Sequence, residues 1–238
     1  MSISHDTRTR RAIIKTGGLL AGSMILPDAL AAAMRDPETR HKPLTAEDLR
    51  PVRPAPYPKP YATARTSPRV VRPDLMRRAM AALDAHSHQG IKRDRIVIAD
   101  FAAPSSQARF HFIDLVSGKS SSMLVSHGSG SDPEHTGWLQ RFSNRDGSNA
   151  TSEGAYRSVD YYVGKHGRSQ RLIGLDHTNN NALQRAIVVH AAWYANPEIV
   201  RERGVLGRSQ GCFAVGERDL DEVFARLGQD RMIYAAKV

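Results

Sequence analysis

Few side chains in this sequence are suited to covalent chemistry. The chain has one cysteine, Cys212, inside Gly207-Arg208-Ser209-Gln210-Gly211-Cys212-Phe213-Ala214-Val215. A lone thiol cannot close a disulfide within its own chain, so in an exported protein Cys212 is a buried small residue, an intermolecular link or a nucleophile. The glycines favour the nucleophile. Gly211 lets backbone approach whatever Cys212 attacks, and the consecutive N–H groups of Gly211 and Cys212 could form an oxyanion hole. A cysteine nucleophile needs a base to raise its thiolate fraction, and that base can be distant in sequence. His190 fits the part. It lies in Ala186-Ile187-Val188-Val189-His190-Ala191-Ala192-Trp193, an apolar run ending shortly before the cysteine segment, so two neighbouring strands would bring imidazole and thiol together. The same setting also suits an ordinary hydrogen-bonded core histidine, the commoner use of such a residue.

The elements that must hold these residues are mostly strands. Runs rich in β-formers predict strands over 95–101, 109–115, 122–126, 155–163, 171–175, 186–192 and 232–236, with Ser117-Gly118-Lys119 as a hairpin turn. Helices are predicted from Pro73, where Leu75, Met76, Ala79, Met80 and Leu83 form one apolar stripe, and over 218–227. The polar stretch from Gly128 to Ser152 reads as a long loop, whose length points to a lid or a flexible insertion. The result is a β-rich domain over 73–238 with no internal repeats.

Ahead of that domain the composition changes twice. Nine of the thirteen prolines fall between Pro37 and Pro73, which excludes ladder donors and helix interiors and gives a proline-rich spacer over 34–72, or a strap along the domain anchored by Tyr57 and Tyr61. Residues 1–33 read as a signal peptide of twin-arginine type. Thr9-Arg10-Arg11-Ala12-Ile13-Ile14-Lys15 leads into a short apolar run to Leu26, and small-residue cleavage sites follow at Ala29-Leu30-Ala31 or Ala31-Ala32-Ala33. The run is too short to span a bilayer and no cysteine follows it, so no stable membrane anchor is expected. Cleavage would leave roughly 205 residues, enough for one domain with a proper core. The formal charge of +10 would fall to about +8, because the segment carries four basic and two acidic residues. Such a charge suits a polyanion. For an exported protein that means an anionic wall polymer or membrane surface rather than nucleic acid, and scattered surface arginine with no target explains it comparably well.

The site residues then meet a family. His190, eighteen further residues and Ser209-Gln210-Gly211-Cys212 resemble the signature of the YkuD-like L,D-transpeptidases, in which a histidine precedes a Ser/Thr-x-Gly-Cys segment carrying the nucleophile. Val125-Ser126-His127-Gly128 resembles the family's strand ending in Ser-Thr-Gly, and Thr151-Ser152-Glu153-Gly154-Ala155-Tyr156 resembles its Thr-Pro-x-Gly-x-Phe/Tyr. The Gly-Arg-Ser-x-Gly-Cys form is similar to the divergent murein L,D-transpeptidase-like subgroup, and the resemblance runs from about Arg95 to the C-terminus. It implies a mainly β (α+β) fold, a β-sandwich with a few flanking helices. It also implies an exported, periplasmic or wall-associated enzyme with no metal or organic cofactor, acting on peptidoglycan tetrapeptide stems and possessing a wall-linked protein as a second potential acceptor. Cys212 would attack the carbonyl of a meso-diaminopimelate residue, release D-alanine and form a thioester, which an amine of a neighbouring stem resolves into a 3→3 cross-link. His190 would be the base, and Gly211 and Cys212 the oxyanion hole. Ser209 would orient the loop or bind substrate, Arg208 would pair with a stem carboxylate, and His127 and Tyr156 would line the substrate cleft.

The chain departs from commoner members at three places: His190-Ala191 replaces His-Gly, Gln210 replaces a histidine, and Ala214 replaces an arginine or asparagine. These put substrate contacts rather than the nucleophile in question. Other readings keep parts of the same evidence. Water in place of the amine gives an L,D-carboxypeptidase or endopeptidase, and a dead site gives an inactive wall-binding protein. His127, His135 and Asp132 could be assembled into a zinc site, without any His-Glu-x-x-His spacing to support it. His127 and His166 otherwise read as surface polar residues.

Overall fold

The described residues are 70–238 and the backbone of Arg65 and Thr66 in a computed structural model. The signal segment expected over 1–33 and nearly all of the spacer expected over 34–72 lie outside them.

The strands are β1 (Arg65–Thr66), β2 (Arg95–Asp100), β3 (Phe110–Asp114), β4 (Lys119–Met123), β5 (Gly154–Gly164), β6 (Gly167–Gly174), β7 (Val188–Ala191), β8 (Phe213–Val215) and β9 (Met232–Ala236). They form one nine-stranded sheet in the order β1-β4-β3-β2-β9-β5-β6-β7-β8. Neighbours run antiparallel except β2 with β9 and β7 with β8. Among the described residues three α-helices accompany them, α1 (Pro73–Ala85), α2 (Pro197–Arg203) and α3 (Leu220–Leu227).

The layers of the expected sandwich are parts of this one sheet, curled over. Strands β3 and β8 stand six places apart in the order, which in a flat sheet would separate them by roughly 29 Å. Yet the rings of Phe110 on β3 and Phe213 on β8 stack with centroids 6.0 Å apart. Beyond β4 the chain leaves β3 and reaches β8: the Ser126 N–H donates to the Ala214 carbonyl at 2.9 Å, and Gly128 bridges to Ser209. This crossing is why the strand expected over 122–126 is observed earlier, at Lys119–Met123.

Alternation decides what each face meets. Val97 and Ala99 of β2 enter the central core with Phe110, Tyr156, Phe213 and Ile233. Ile96 and Ile98 point the other way, under α1. Buried on both faces, β2 is accordingly a continuous apolar run. Helix α1 starts on Pro73 with Asp74 in its first turn and buries Leu75, Ala79 and Leu83 along one stripe, where each leucine contributes about 1.5–3 kcal/mol. Helix α3 adds Leu220, Val223, Phe224 and Leu227 to the central core. The short α2 was not expected from sequence: it buries only Ile199 and so has no apolar stripe to read, although Pro197 at its start was a signal. Residues 128–152 contain no strand, as expected, but Leu139 and Ala150 are fully buried, so this segment packs down rather than standing off as a free flap.

Candidate active site

Strand pairing brings the two chemical residues together. In the parallel pair β7/β8, Val189 lies opposite Phe213 and His190 opposite Ala214. Val189 and Phe213 point into the core, so Val188, His190, Cys212 and Ala214 share the opposite face. Cys212 and His190 are thus diagonal neighbours on one surface. Cys212 packs against Val188 and Tyr162 of β5 and is 7 % exposed.

The histidine's tautomer follows from its one hydrogen bond. Nδ1 lies 2.9 Å from the Ala191 carbonyl, and a carbonyl only accepts, so Nδ1 carries the proton. Nε2 is left as the basic atom, with no hydrogen-bond partner among the described residues. Burial pushes the His190 pKa down to about 4; the bond to Ala191 opposes this, and His166 and Lys165 reinforce it. Burial also pushes the Cys212 thiol up, against the Val188 amide, Lys165 and Arg185. Both shifts favour a neutral thiol beside a neutral imidazole over a standing ion pair.

The thiol is held by backbone. Its Sγ donates to the Ala186 carbonyl at 3.5 Å. Ala186 has φ 52°, a left-handed conformation that costs an L-residue with a Cβ about 1–2 kcal/mol, so strain is stored beside the thiol.

The turn before Cys212 is pinned by Ser209. Its Oγ donates to the Cys212 carbonyl at 2.7 Å and accepts the Gly211 N–H at 3.1 Å, while its N–H donates to the His127 carbonyl at 2.9 Å. Of the two roles expected for Ser209, the geometry matches loop orientation. The Gly211 amide, expected in the oxyanion hole, is directed at Ser209 instead. Gly211 itself has φ +113°, and a Cβ there would lie 2.7 Å from the Ala150 carbonyl oxygen and 2.9 Å from Ile187 Cδ1, so no other residue fits.

The remaining expected substrate contacts sit elsewhere. Arg208 donates through Nη1 to the carbonyls of Asp132 and Pro133. Tyr156 is fully buried, donates its hydroxyl to the Ser152 carbonyl at 2.7 Å and meets Phe213 edge-on at 5.3 Å; it is a core residue. His127 does not line the cleft either. It is 1 % exposed, receives Arg109 Nη2 on Nδ1 at 2.7 Å and directs Nε2 at Asp132 at 3.3 Å. His135, the other histidine of the conceivable zinc set, directs Nε2 to the Leu206 carbonyl at 2.8 Å, so the three side chains do not converge on a common point.

Tyr162, Arg171 and Arg185, around Cys212, escaped the sequence reading, and His166, expected as a surface polar residue, lies against His190. Tyr162 packs on Cys212, and Arg171 lies over its ring at 4.1 Å. His166 stacks on His190 with centroids 4.4 Å apart and planes at 22°. Arg185 donates to the carbonyls of Ser143 and Ala150 and to the hydroxyls of Ser148 and Ser152, tying the 128–152 segment down beside Gly211. No local pattern marks any of them; the β5–β6 hairpin and the turn before β7 deliver them.

Three solved structures are similar to the chain. An L,D-transpeptidase from Mycobacterium tuberculosis H37Rv is 14% identical over 60% of this chain and 58% of its own, with a TM-score of 0.37. One from Mycobacterium smegmatis is 14% identical over 60% and 58%, with a TM-score of 0.35. The L,D-transpeptidase LdtMt1 in complex with imipenem is 13% identical over 60% and 59%, with a TM-score of 0.36. The chain therefore spans under two thirds of the length of these structures. No curated protein matches it. The family model described as the L,D-transpeptidase catalytic domain matches residues 68–236, a span holding both Cys212 and His190, and the chain belongs to that family of enzymes.

Proposed function

We propose that the protein is an exported cysteine acyltransferase that cross-links peptidoglycan stem peptides through a thioester on Cys212. The observation that supports this reading best is the shared face of the β7/β8 pair, where Cys212 lies diagonal to a histidine whose Nδ1 proton is fixed on Ala191, leaving Nε2 as base. On binding a tetrapeptide stem, the Sγ proton passes to His190 Nε2 and the thiolate attacks the meso-diaminopimelate carbonyl. The Cys212 N–H holds the developing oxyanion. The intermediate collapses to the thioester as D-alanine leaves with the proton from His190. An acceptor amine then attacks the thioester, His190 takes its proton, and the 3→3 amide forms as the Cys212 thiol is restored. Burial of Cys212 and His190 strengthens each charge interaction by excluding water.

Export rests on the segment from Thr9 to Lys15 and the small-residue sites after it. Cell fractionation tests it: wild type should be outside the inner membrane, and the Arg10→Lys, Arg11→Lys variant retained inside.

Incubating the protein with purified disaccharide-tetrapeptide and following products by intact mass tests the chemistry. A cross-linked dimer and free D-alanine are expected, both lost in Cys212→Ala. Tripeptide and D-alanine without dimer would replace the transferase with the hydrolase. Neither product, and no Cys212 adduct with a carbapenem, would overturn the mechanism.

A further inference from the structure

We propose that His166, at the tip of the β5–β6 hairpin, is a positioning residue that holds the His190 imidazole in its working orientation. The inference rests on the catalytic reading of Cys212 and His190. Pairing of Val163 with Arg168 and of Gly164 with Gly167 makes Lys165-His166 the two-residue turn of the hairpin, with Gly167 at φ +72°. Strand β6 then runs beside β7, Ser169 opposite His190. The hairpin thus folds its own tip back over the residue that its return strand pairs with. The result is a face-to-face imidazole pair, centroids 4.4 Å apart at 22°.

His190 needs such a support. One hydrogen bond, Nδ1 to the Ala191 carbonyl, fixes the tautomer but leaves the ring able to tilt about that contact. A flat ring against its face removes the tilt and aims Nε2. His166 also shuts water out: it is exposed itself, whereas His190 beneath it is 1 % exposed. Beyond burial, the charged group bearing on both rings is Lys165 on the same turn, which lowers the pKa of each, while Arg185 and Tyr162 lie about Cys212. The stack should therefore act on the turnover step rather than on substrate affinity.

His166→Ala and His166→Phe separate positioning from mere presence. His166→Ala removes the ring, and kcat should fall about tenfold with KM within about twofold. His166→Phe restores a flat ring and should recover most of the loss. With water admitted in His166→Ala, the His190 pKa rises toward its ordinary value, so the acid limb of the rate profile moves to higher pH; in His166→Phe it stays. NMR titration of labelled His190 in the same variants reads the same shift without any turnover, so the stacking role is decided even if the cross-linking reading fails. Wild-type kcat and an unmoved His190 titration in His166→Ala would overturn the proposal. So would a His166→Phe variant as impaired as His166→Ala at an equal melting temperature.

Discussion

His127 and His190 are alike in every average property. Each is 1 % exposed and each has its pKa pushed down by burial, to about 3 and about 4 respectively. They differ in what their nitrogens touch. Arg109 Nη2 donates to His127 Nδ1, so Nε2 carries the proton and donates to Asp132. That carboxylate also accepts from Thr136, Gly137 and Gln140. Burial opposes its ionisation, and the bonds from Thr136 and Gly137 outweigh it, leaving its pKa lowered. His127 is thus a link between a fully buried arginine and a buried aspartate, with no atom left to react. His190 uses one nitrogen to set its tautomer and leaves the other without a partner among the described residues. Burial and a perturbed pKa do not separate a structural histidine from a catalytic one; an uncommitted nitrogen beside a nucleophile does.

Exchanging the two histidines' fates is the strongest way to break this contrast. His190→Ala should lower kcat by about 10²–10⁴, with a smaller loss of stability than His127→Ala, from the cavity its buried ring leaves. His127→Ala should cost more stability, roughly 2–3 kcal/mol, by removing the link between Arg109 and Asp132 and leaving them only their bonds to Val125, Ala103, Thr136, Gly137 and Gln140, with turnover per folded molecule retained. Denaturant titration and product assays on both variants check this. A His127→Ala protein that is stable but inactive would sink the distinction.

Gly211→Ala probes the nucleophile side of the contrast. Its Cβ would press on the Ala150 carbonyl and Ile187, so stability should fall by roughly 1–3 kcal/mol and turnover with it, as the Cys212 turn shifts.

Acid sharpens the comparison because both histidines are held neutral. A depressed folded pKa means the unfolded chain binds protons first. Stability is therefore full above the ordinary histidine value of about 6.5 and is lost as pH falls toward about 4 for His190 and about 3 for His127, where each protonates in the folded state. The expected slope is of the order of 1 kcal/mol per pH unit for each such histidine. Urea midpoints across this range should show it, and His190→Phe should remove its share.

A smaller effect concerns the thiol. Because burial raises its pKa, Cys212 in the absence of substrate should be alkylated by iodoacetamide more slowly at neutral pH than a free cysteine, with the rate still climbing above about pH 8.5. Rapid alkylation at pH 6 would show a standing thiolate–imidazolium pair instead. The smallest change expected is Ala186→Gly, which relieves the left-handed strain and should stabilise the protein by about 0.5–1 kcal/mol, measured by chemical denaturation.

Much of this was legible in the chain. Pro73 and the Leu75/Ala79/Leu83 stripe marked α1 because helix starts and stripes are local, and the apolar run over 232–236 is a strand with the expected bounds. Cys212 stood out as the chain's single thiol, with His190 in an apolar strand upstream of it. Tyr156 was misplaced because a strand's sequence does not say which face of the sheet is core until the sheet has curled, and His127 because its partners, Arg109 and Asp132, reach it from other segments.

What the sequence determined by itself is residue type and local spacing: a single thiol in a glycine-flanked segment, and a histidine in an apolar strand upstream of it. What only the tertiary structure decided is company. Which nitrogen of His190 is protonated, that His166 lies flat on it, that Arg185 anchors the loop beside Gly211, and that His127 is sealed between Arg109 and Asp132 all depend on segments distant in sequence meeting in space. Side-chain type and spacing are written residue by residue, whereas contacts across a curled sheet depend on the register of every strand between them.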